Sequence, residues 1–238
     1  PSDFIQWRFQ VAFFRDQFYV QTALVPLADV QKIGTTGLYQ LFQDAAKTTN
    51  TRLALLKADF NQNYIVAPDG TVTGGDVYQV KQTMWAYTAS ANGTSVTAPG
   101  NLNITGFPVM DTAECELLEG ITCLYQLFDR KYALFVYGKS IGAAQGQNFA
   151  VRDPFYTVWL SGGGLSGLGA PTWPEIAATS LVSASAAVWQ QYRNGAIVNI
   201  TTGVLAGRQV TVKQPVYDLY ALNGGPLSYL GLPVTEAR

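Results

Sequence analysis

Large apolar side chains alternate with mostly polar ones near the start of the chain. From Ile5 to Phe13 the odd positions are apolar, and the residues between them are Gln, Arg, Gln and Ala. A period of two residues is typical of a strand that buries one face. The apolar face of this predicted strand consists of Ile5, Trp7, Phe9, Val11 and Phe13. Residues 1–22 are therefore predicted to form an N-terminal strand arm, which packs in cis on its own chain or pairs in trans with a sheet edge of a neighbouring copy.

Further along the chain, β-branched and aromatic runs end in Gly or Asn turns, a pattern typical of short strands. Examples are KYALFVYGKS at 131–140 and NGAIVNITTG at 194–203. RQVTVK at 208–213 alternates with a period of two, which predicts a half-buried strand. VRDPFYTVW and VKQPVYDLY are predicted short helices, because each has Pro near its start and Gly-Gly beyond its end. These patterns together predict a β-rich α+β fold.

A turn of the form Leu-Gly-x-Pro recurs along the chain and indicates tandem repeats. The turns are Thr105–Pro108, Leu168–Pro171 and Leu230–Pro233, with a degenerate copy at Leu24–Pro26. The three complete turns, which begin at Thr105, Leu168 and Leu230, lie about 63 residues apart. An aromatic segment containing Gln follows each of the first three in chain order: LYQLF at 38–42, LYQLF again at 124–128, and AVWQQY at 187–192.

The repeats predict a division of the chain into an arm and three modules. The predicted segments are the arm at 1–22, module 1 with insertions at 23–107, module 2 at 108–170 and module 3 at 171–238. Each module is too small to bury its apolar face alone, so we expect neighbouring modules to bury aromatic residues against one another. A solenoid and a propeller-like arrangement both fit this pattern.

Composition narrows the chemistry that the chain can perform. It has no His, charged residues make up 13% of it, and its net charge is −1. The absence of His excludes His-based acid–base catalysis, Ser-His and Cys-His nucleophiles, and His-ligated metals. The small net charge gives no general attraction to nucleic acid, and no apolar run is long enough to cross a membrane. We therefore expect no enzyme activity, no cofactor, no metal and no nucleic-acid partner.

The cysteines and the glycosylation sequons favour an oxidising compartment. Cys115 and Cys123 lie close in sequence and are predicted to form a disulfide; two buried free thiols are the alternative. Asn-x-Thr sequons occur at Asn92, Asn103 and Asn199. We expect a secreted protein that is extracellular or attached to the cell surface and that carries N-linked glycans.

Module 3 contains, in order, WQQYRNGAIV and VKQPVYDLYALNGGPLSYLGLPVTE. This succession of an aromatic-Gln-x-aromatic segment, Gly-Ala-Ile, Val-x-x-Pro, Gly-Gly and Leu-Gly-x-Pro resembles the LGFP repeat. Module 2 departs from the pattern at 129–132, where Gly is usual, and module 1 lacks the Gly-Gly turn. The resemblance covers about residues 25–238 and implies a non-catalytic module of secreted and cell-wall-associated proteins that aids surface attachment.

The main functional hypothesis is a structural subunit of an extracellular filament or surface layer, whose partners are copies of itself joined head to tail through the arm. A first alternative is an adhesion module that binds cell-wall or surface glycans by stacking on Trp173 and Tyr229; these rings could instead belong to a core between modules. A second alternative is a glycoside hydrolase, since that chemistry needs carboxylates and no His. Its candidate acids are Asp111, Glu114, Glu116 and Glu119.

Overall fold

A computed structural model describes most of the chain beyond residue 103 and separate segments before it. The described ranges are 104–118, 121–137 and 148–236, preceded by strand segments at 24–26, 31–33, 37–44, 51–57, 65–66, 72–73 and 78–81 and by residues 84 and 87. The predicted arm at 1–22 lies outside the described residues.

The described residues are β-rich with few helices, which confirms the coarse fold prediction. The strands are β1 Leu24–Pro26, β2 Gln31–Ile33, β3 Gly37–Asp44, β4 Thr51–Lys57, β5 Ile65–Val66, β6 Val72–Thr73, β7 Tyr78–Lys81, β8 Ala113–Leu118, β9 Ile121–Phe128, β10 Tyr132–Tyr137, β11 Asn148–Arg152, β12 Ile176–Thr179, β13 Ala186–Tyr192, β14 Gly195–Ile200 and β15 Gln209–Lys213. The helices are α1 Phe155–Ser161, α2 Gly164–Gly167 and α3 Val216–Leu222, with a 3₁₀ turn at Gly225–Leu227.

The two four-stranded sheets have the same strand order. They run β11-β10-β9-β8 and β12-β13-β14-β15, and in each the neighbours along the path are consecutive in sequence. A five-stranded sheet nearer the start of the chain runs β1-β3-β4-β7, with β2 also paired to β3, and β5 pairs with β6. Consecutive antiparallel strands need only short connections, which agrees with the turn residues that separate the apolar runs. The number of modules, their limits and the solenoid or propeller-like arrangement stay predictions.

Several strands of the two four-stranded sheets are buried on both faces rather than on one. Every described side chain of β10 is buried, and β14 is buried except at Asn199. In β15 the three consecutive residues Val210, Thr211 and Val212 are buried. The period-two prediction of a half-buried strand at 208–213 was therefore wrong, because Thr211, on the face that was expected to meet water, is buried as well.

Each predicted nine-residue helix is instead a strand end followed by a helix. The first residues of VRDPFYTVW and VKQPVYDLY complete β11 and β15, and the helices α1 and α3 begin one residue after the proline. A cis peptide bond precedes each proline, at Asp153-Pro154 and Gln214-Pro215. The prediction that Gly-Gly follows each helix as a stop is confirmed, because Gly163 and Gly224 both have positive φ, which Gly adopts without steric cost.

The chain divides into two compact units. The first comprises Pro1–Ala113 with Tyr125–Arg130, and the second comprises Glu114–Leu124 with Lys131–Arg238. The core of the second unit is strongly aromatic. The rings of Phe135 and Trp159 meet edge to face with their centroids 5.7 Å apart, an arrangement that stabilises aromatic pairs beyond the area that they bury.

Candidate assembly surface at the glycine–proline turns

In the first three turns along the chain, the proline pairs with the last aromatic residue of the segment that follows it. The three pairs are Pro26 with Phe42, Pro108 with Phe128, and Pro171 with Tyr192. Around Pro171 the hydrogen bonds come from the flanking amides, from Thr172 to the Gln191 carbonyl at 2.8 Å and from Arg193 to the Ala170 carbonyl at 2.9 Å. The pair itself needs no N–H group, which explains why Pro is compatible with this position.

A buried glutamine joins each of the last two aromatic segments to the residues just beyond the proline. The Gln190 side-chain amide donates to the carbonyls of Ala150 at 2.8 Å and Trp173 at 3.4 Å, and its oxygen accepts from the Tyr192 hydroxyl at 2.8 Å. Gln126 makes the corresponding bond to the Met110 carbonyl at 2.9 Å. Sequence reasoning missed this role, although the recurrence of Gln at one position of LYQLF and AVWQQY was the signal.

In the last two turns the glycine has positive φ, and an aromatic side chain donates a hydrogen bond to its carbonyl. Gly169 and Gly231 have φ of 82° and 67°, which confirms the predicted positive φ at this position. The Trp159 indole N–H donates to the Gly169 carbonyl at 2.9 Å, and the Tyr220 hydroxyl donates to the Gly231 carbonyl at 2.7 Å. Burial raises the pKa of Tyr220, so its hydroxyl stays protonated and available as a donor at neutral pH.

We call Leu168–Pro171 the covered turn, because β13 and β14 close over it. Leu168 is 0% exposed and accepts a hydrogen bond at its carbonyl from the Asn194 amide at 2.9 Å. The Asn194 side chain also donates to the Gly167 carbonyl at 2.9 Å. On the other side, the Tyr137 hydroxyl donates to the carbonyl of Pro171. A following sheet thus buries this turn completely.

We call Leu230–Pro233 the open turn, because its outer side meets solvent. Leu230 is 49% exposed and the adjacent Val234 is 56% exposed. Within the described part of the chain, no strand pairs with Pro233. Beside the turn lies a mainly apolar cavity of about 420 Å³. Its lining includes Val182, Ile200, Val204, Leu205, Leu230 and Leu232.

Charged groups lie at the margins of the covered turn rather than in a concave site. Arg193 approaches Glu116 at 3.6 Å, and Arg152 binds Glu175 through two nitrogens at 3.0 and 3.2 Å. The hydrogen bond and the charge of Glu175 raise the pKa of Arg152. Such partly exposed pairs contribute little to stability. Across the described ranges, no group of three or more Cys, Asp or Glu residues could hold a metal ion.

The two predicted stacking residues lie on the surface. Trp173 is 48% exposed and Tyr229 is 74% exposed, and both flank the turns. Trp159, Trp189 and Tyr192 are buried instead. The alternative that Trp173 and Tyr229 belong to a core between modules stays a prediction.

The predicted disulfide between Cys115 and Cys123 is confirmed. It joins β8 to β9 across a Cα–Cα distance of 4.8 Å. At the matching positions of the last sheet, Ala178 on β12 opposes Ala187 on β13. The β12–β13 pair thus forms without a disulfide, so the disulfide is not required for a strand pair of this kind.

The remaining predicted residues are dispersed. Asn199 is half-buried on β14, and its side-chain oxygen accepts a hydrogen bond from Gln209 at 3.3 Å. Asn92 and Asn103 lie outside the described residues, as does the apolar face of the arm. Of the acids proposed for hydrolysis, Glu114 and Glu116 are exposed and Asp111 is half-buried, while Glu119 lies outside the described residues.

No family model matches this chain, and no curated protein matches it. None of the described helices is long and apolar enough to span a membrane.

Proposed function

We propose that this chain is a non-catalytic subunit of an extracellular filament or surface layer, in which copies join head to tail through the N-terminal arm. In this proposal the chain consists of three repeat modules, is secreted and carries N-linked glycans. It takes no cofactor, and its main partner is a second copy of itself.

The contrast between the covered turn and the open turn carries the proposal. Both turns have Gly at positive φ and an aromatic side chain that donates to its carbonyl, but Leu168–Pro171 is buried throughout, whereas Leu230 at the start of the second turn is 49% exposed. Burying a Leu side chain contributes roughly 1.5–3 kcal/mol, so covering the open turn would be favourable. A polymer in which each copy covers the open turn of the next would recover that free energy.

Three further properties of the chain support the proposed setting. The disulfide between Cys115 and Cys123 is typical of an oxidising, extracellular compartment. The resemblance to the LGFP repeat favours a module of the cell surface. Charged residues are only 13% of the chain, which suits a surface that glycans and neighbouring subunits cover.

Deletion of residues 1–20 tests the proposal. The modules are expected to remain folded by circular dichroism, whereas negative-stain images are expected to lose the polymers that the full chain forms. A matched pair of variants separates the two faces of the arm: Trp7→Asp with Phe9→Asp charges the apolar face, and Gln6→Asp with Gln10→Asp charges the polar one. Only the first pair is expected to prevent assembly. Unchanged polymers after the deletion would exclude the arm as the connection.

The exposure of Trp173 and Tyr229 favours glycan binding as a second candidate function, because aromatic rings open to solvent can stack on sugar faces. Trp173→Ala and Tyr229→Ala are expected to weaken retention on purified cell-wall polysaccharide if this function is correct. Tyr125→Ala, a half-buried ring on β9, serves as a comparison. Equal retention of the two surface variants and the unmodified chain would count against glycan binding.

A further inference from the structure

Trp173 lies in a β-bulge between the covered turn and β12. Residues 173–175 all lie opposite Gln190, since the pairs on either side of them are consecutive on the partner strand except for that residue. These flanking pairs are Thr172 with Gln191 and Ile176 with Trp189. The buried Gln190 amide donates to the Trp173 carbonyl at 3.4 Å. A bulge changes the direction in which side chains project, and the Trp173 side chain is 48% exposed although its carbonyl is held.

An ion pair lies beside this bulge. The Gln190 amide also donates to the Ala150 carbonyl on β11, at 2.8 Å. Two residues further along β11 and the bulge, Arg152 bonds Glu175 at 3.0 and 3.2 Å. Cα atoms two residues apart are separated by at most about 7 Å. The ring of Trp173 and the ion pair are therefore close enough to contact one oligosaccharide.

The ion pair offers both donors and an acceptor. The Arg152 side chain is 63% exposed, and its guanidinium has more N–H groups than the two bonds to Glu175 use. The carboxylate of Glu175 is 18% exposed, and each of its oxygens can accept a further hydrogen bond. Burial raises the pKa of the nearby Tyr132 hydroxyl, Arg152 lowers it in part and Glu175 raises it further. The phenol stays neutral at pH 7, so Arg152 and Glu175 together carry no net charge beside it.

We propose that Trp173, Arg152 and Glu175 bind a neutral, β-linked oligosaccharide of glucose-like pyranose rings. One ring stacks on the indole, because equatorial hydroxyls leave the faces of such a ring to C–H groups, which suit an aromatic surface. Each sugar hydroxyl is both a donor and an acceptor, so one of two adjacent hydroxyls accepts from Arg152 while the other donates to Glu175. An acidic sugar would instead meet the negative charge of Glu175. This proposal rests on the glycan-binding candidate of the proposed function and assigns its site and ligand class.

Calorimetric titration of the full chain with cellohexaose, a neutral β-1,4-linked glucose oligomer, tests the site. Trp173→Ala is expected to weaken binding by about fivefold to tenfold, whereas Trp173→Phe keeps an aromatic face and should retain most of it. Arg152→Gln removes the charged donor and should weaken binding by about tenfold. The matched control is Lys131→Gln, which breaks the exposed ion pair with Asp153 at 2.8 Å and should leave binding unchanged. Thermal denaturation of each variant checks that it is folded.

The possible outcomes separate this site from glycan binding in general. A chain that binds neither cellohexaose nor purified cell-wall polysaccharide overturns the glycan-binding candidate and this inference together. Retention on the polysaccharide without binding of cellohexaose overturns this inference alone. Cellohexaose binding that Trp173→Ala leaves unchanged does so as well. A galacturonic acid oligomer of equal length that binds more tightly than cellohexaose overturns the neutral ligand class.

Discussion

The covered turn and the open turn have the same internal structure and opposite surroundings. Both place Gly at positive φ, and both fix its carbonyl with an aromatic donor from the preceding helix. The covered turn is closed by the β13–β14 strand pair, whereas the outer side of the open turn is exposed. Residues within each repeat therefore determine the shape of the turn, whereas a neighbouring strand pair determines whether the turn is covered. The outer side of the open turn exposes apolar side chains at Leu230 and Val234.

The largest expected difference between the two turns is the loss of stability when the leucine of each turn is replaced by alanine. Leu168→Ala removes a fully buried side chain and is expected to lower the free energy of unfolding by about 2–5 kcal/mol. Leu230→Ala removes a half-exposed side chain, and we expect it to lower the free energy of unfolding of the monomer by about 1 kcal/mol or less. Urea denaturation of both variants under dilute conditions measures the difference. Equal losses would show that the two turns are covered to the same extent.

A second disulfide would test the equivalence of the sheets. Ala178→Cys with Ala187→Cys places two thiols on opposed residues, at the positions that correspond to Cys115 and Cys123. We expect spontaneous oxidation and a gain of about 2–3 kcal/mol over the reduced form of the same variant. Free-thiol titration and denaturation with and without reductant provide the measurements. Persistent free thiols would indicate that the two strand pairs differ in geometry.

The glycine of the covered turn is expected to resist substitution for two reasons. An added Cβ at Gly169 would lie 2.8 Å from the Arg193 Cβ, in addition to the cost of positive φ. Gly207 has a similar φ of 85° with nothing within 4 Å, so Gly207→Ala measures the backbone cost alone, about 1–2 kcal/mol. In thermal denaturation, Gly169→Ala should lower the Tm by more than Gly207→Ala does. Identical shifts in Tm for the two variants would show that the contact with Arg193 does not add to the loss of stability.

A smaller expected effect is the pH dependence of stability that Asp153 gives to the start of α1 and that the start of α3 lacks at the matching position, Gln214. Burial opposes ionisation of Asp153, but hydrogen bonds from Lys131 and Thr157 outweigh it and hold the pKa of Asp153 below its ordinary value. A lowered pKa in the folded state gives stability that is present above the unfolded pKa and is lost as pH falls through the folded pKa. Because Asp153 is partly exposed, we expect less than about 1 kcal/mol.

Asp153→Asn should flatten this acid dependence of unfolding. At the matching positions of α3, Gln214 donates to Asp218 at 3.1 Å, and Gln214→Ala serves as the control. The control should leave the acid dependence from Asp153 in place. An unchanged slope in the Asp153→Asn variant would contradict the assignment.

Much of this architecture was predictable from local sequence. The turns with Gly at positive φ, the Gly-Gly stops and the disulfide follow from residues near one another in the chain. The buried face of a strand was harder to predict: Thr211 is buried between Val210 and Val212, so both faces of β15 are covered, which the alternation within the strand does not indicate. Trp173 was likewise open to two interpretations, since an aromatic side chain does not by itself indicate whether another element covers it.

Hydrogen exchange at the Val234 amide most directly tests whether the open turn is an assembly surface. The corresponding amide at Thr172 bonds the Gln191 carbonyl in the covered turn. In assembled material, Val234 should exchange as slowly as Thr172, and after deletion of residues 1–20 it should exchange quickly while Thr172 stays protected. Rapid exchange of Val234 in polymers of the full chain would show that assembly uses another surface.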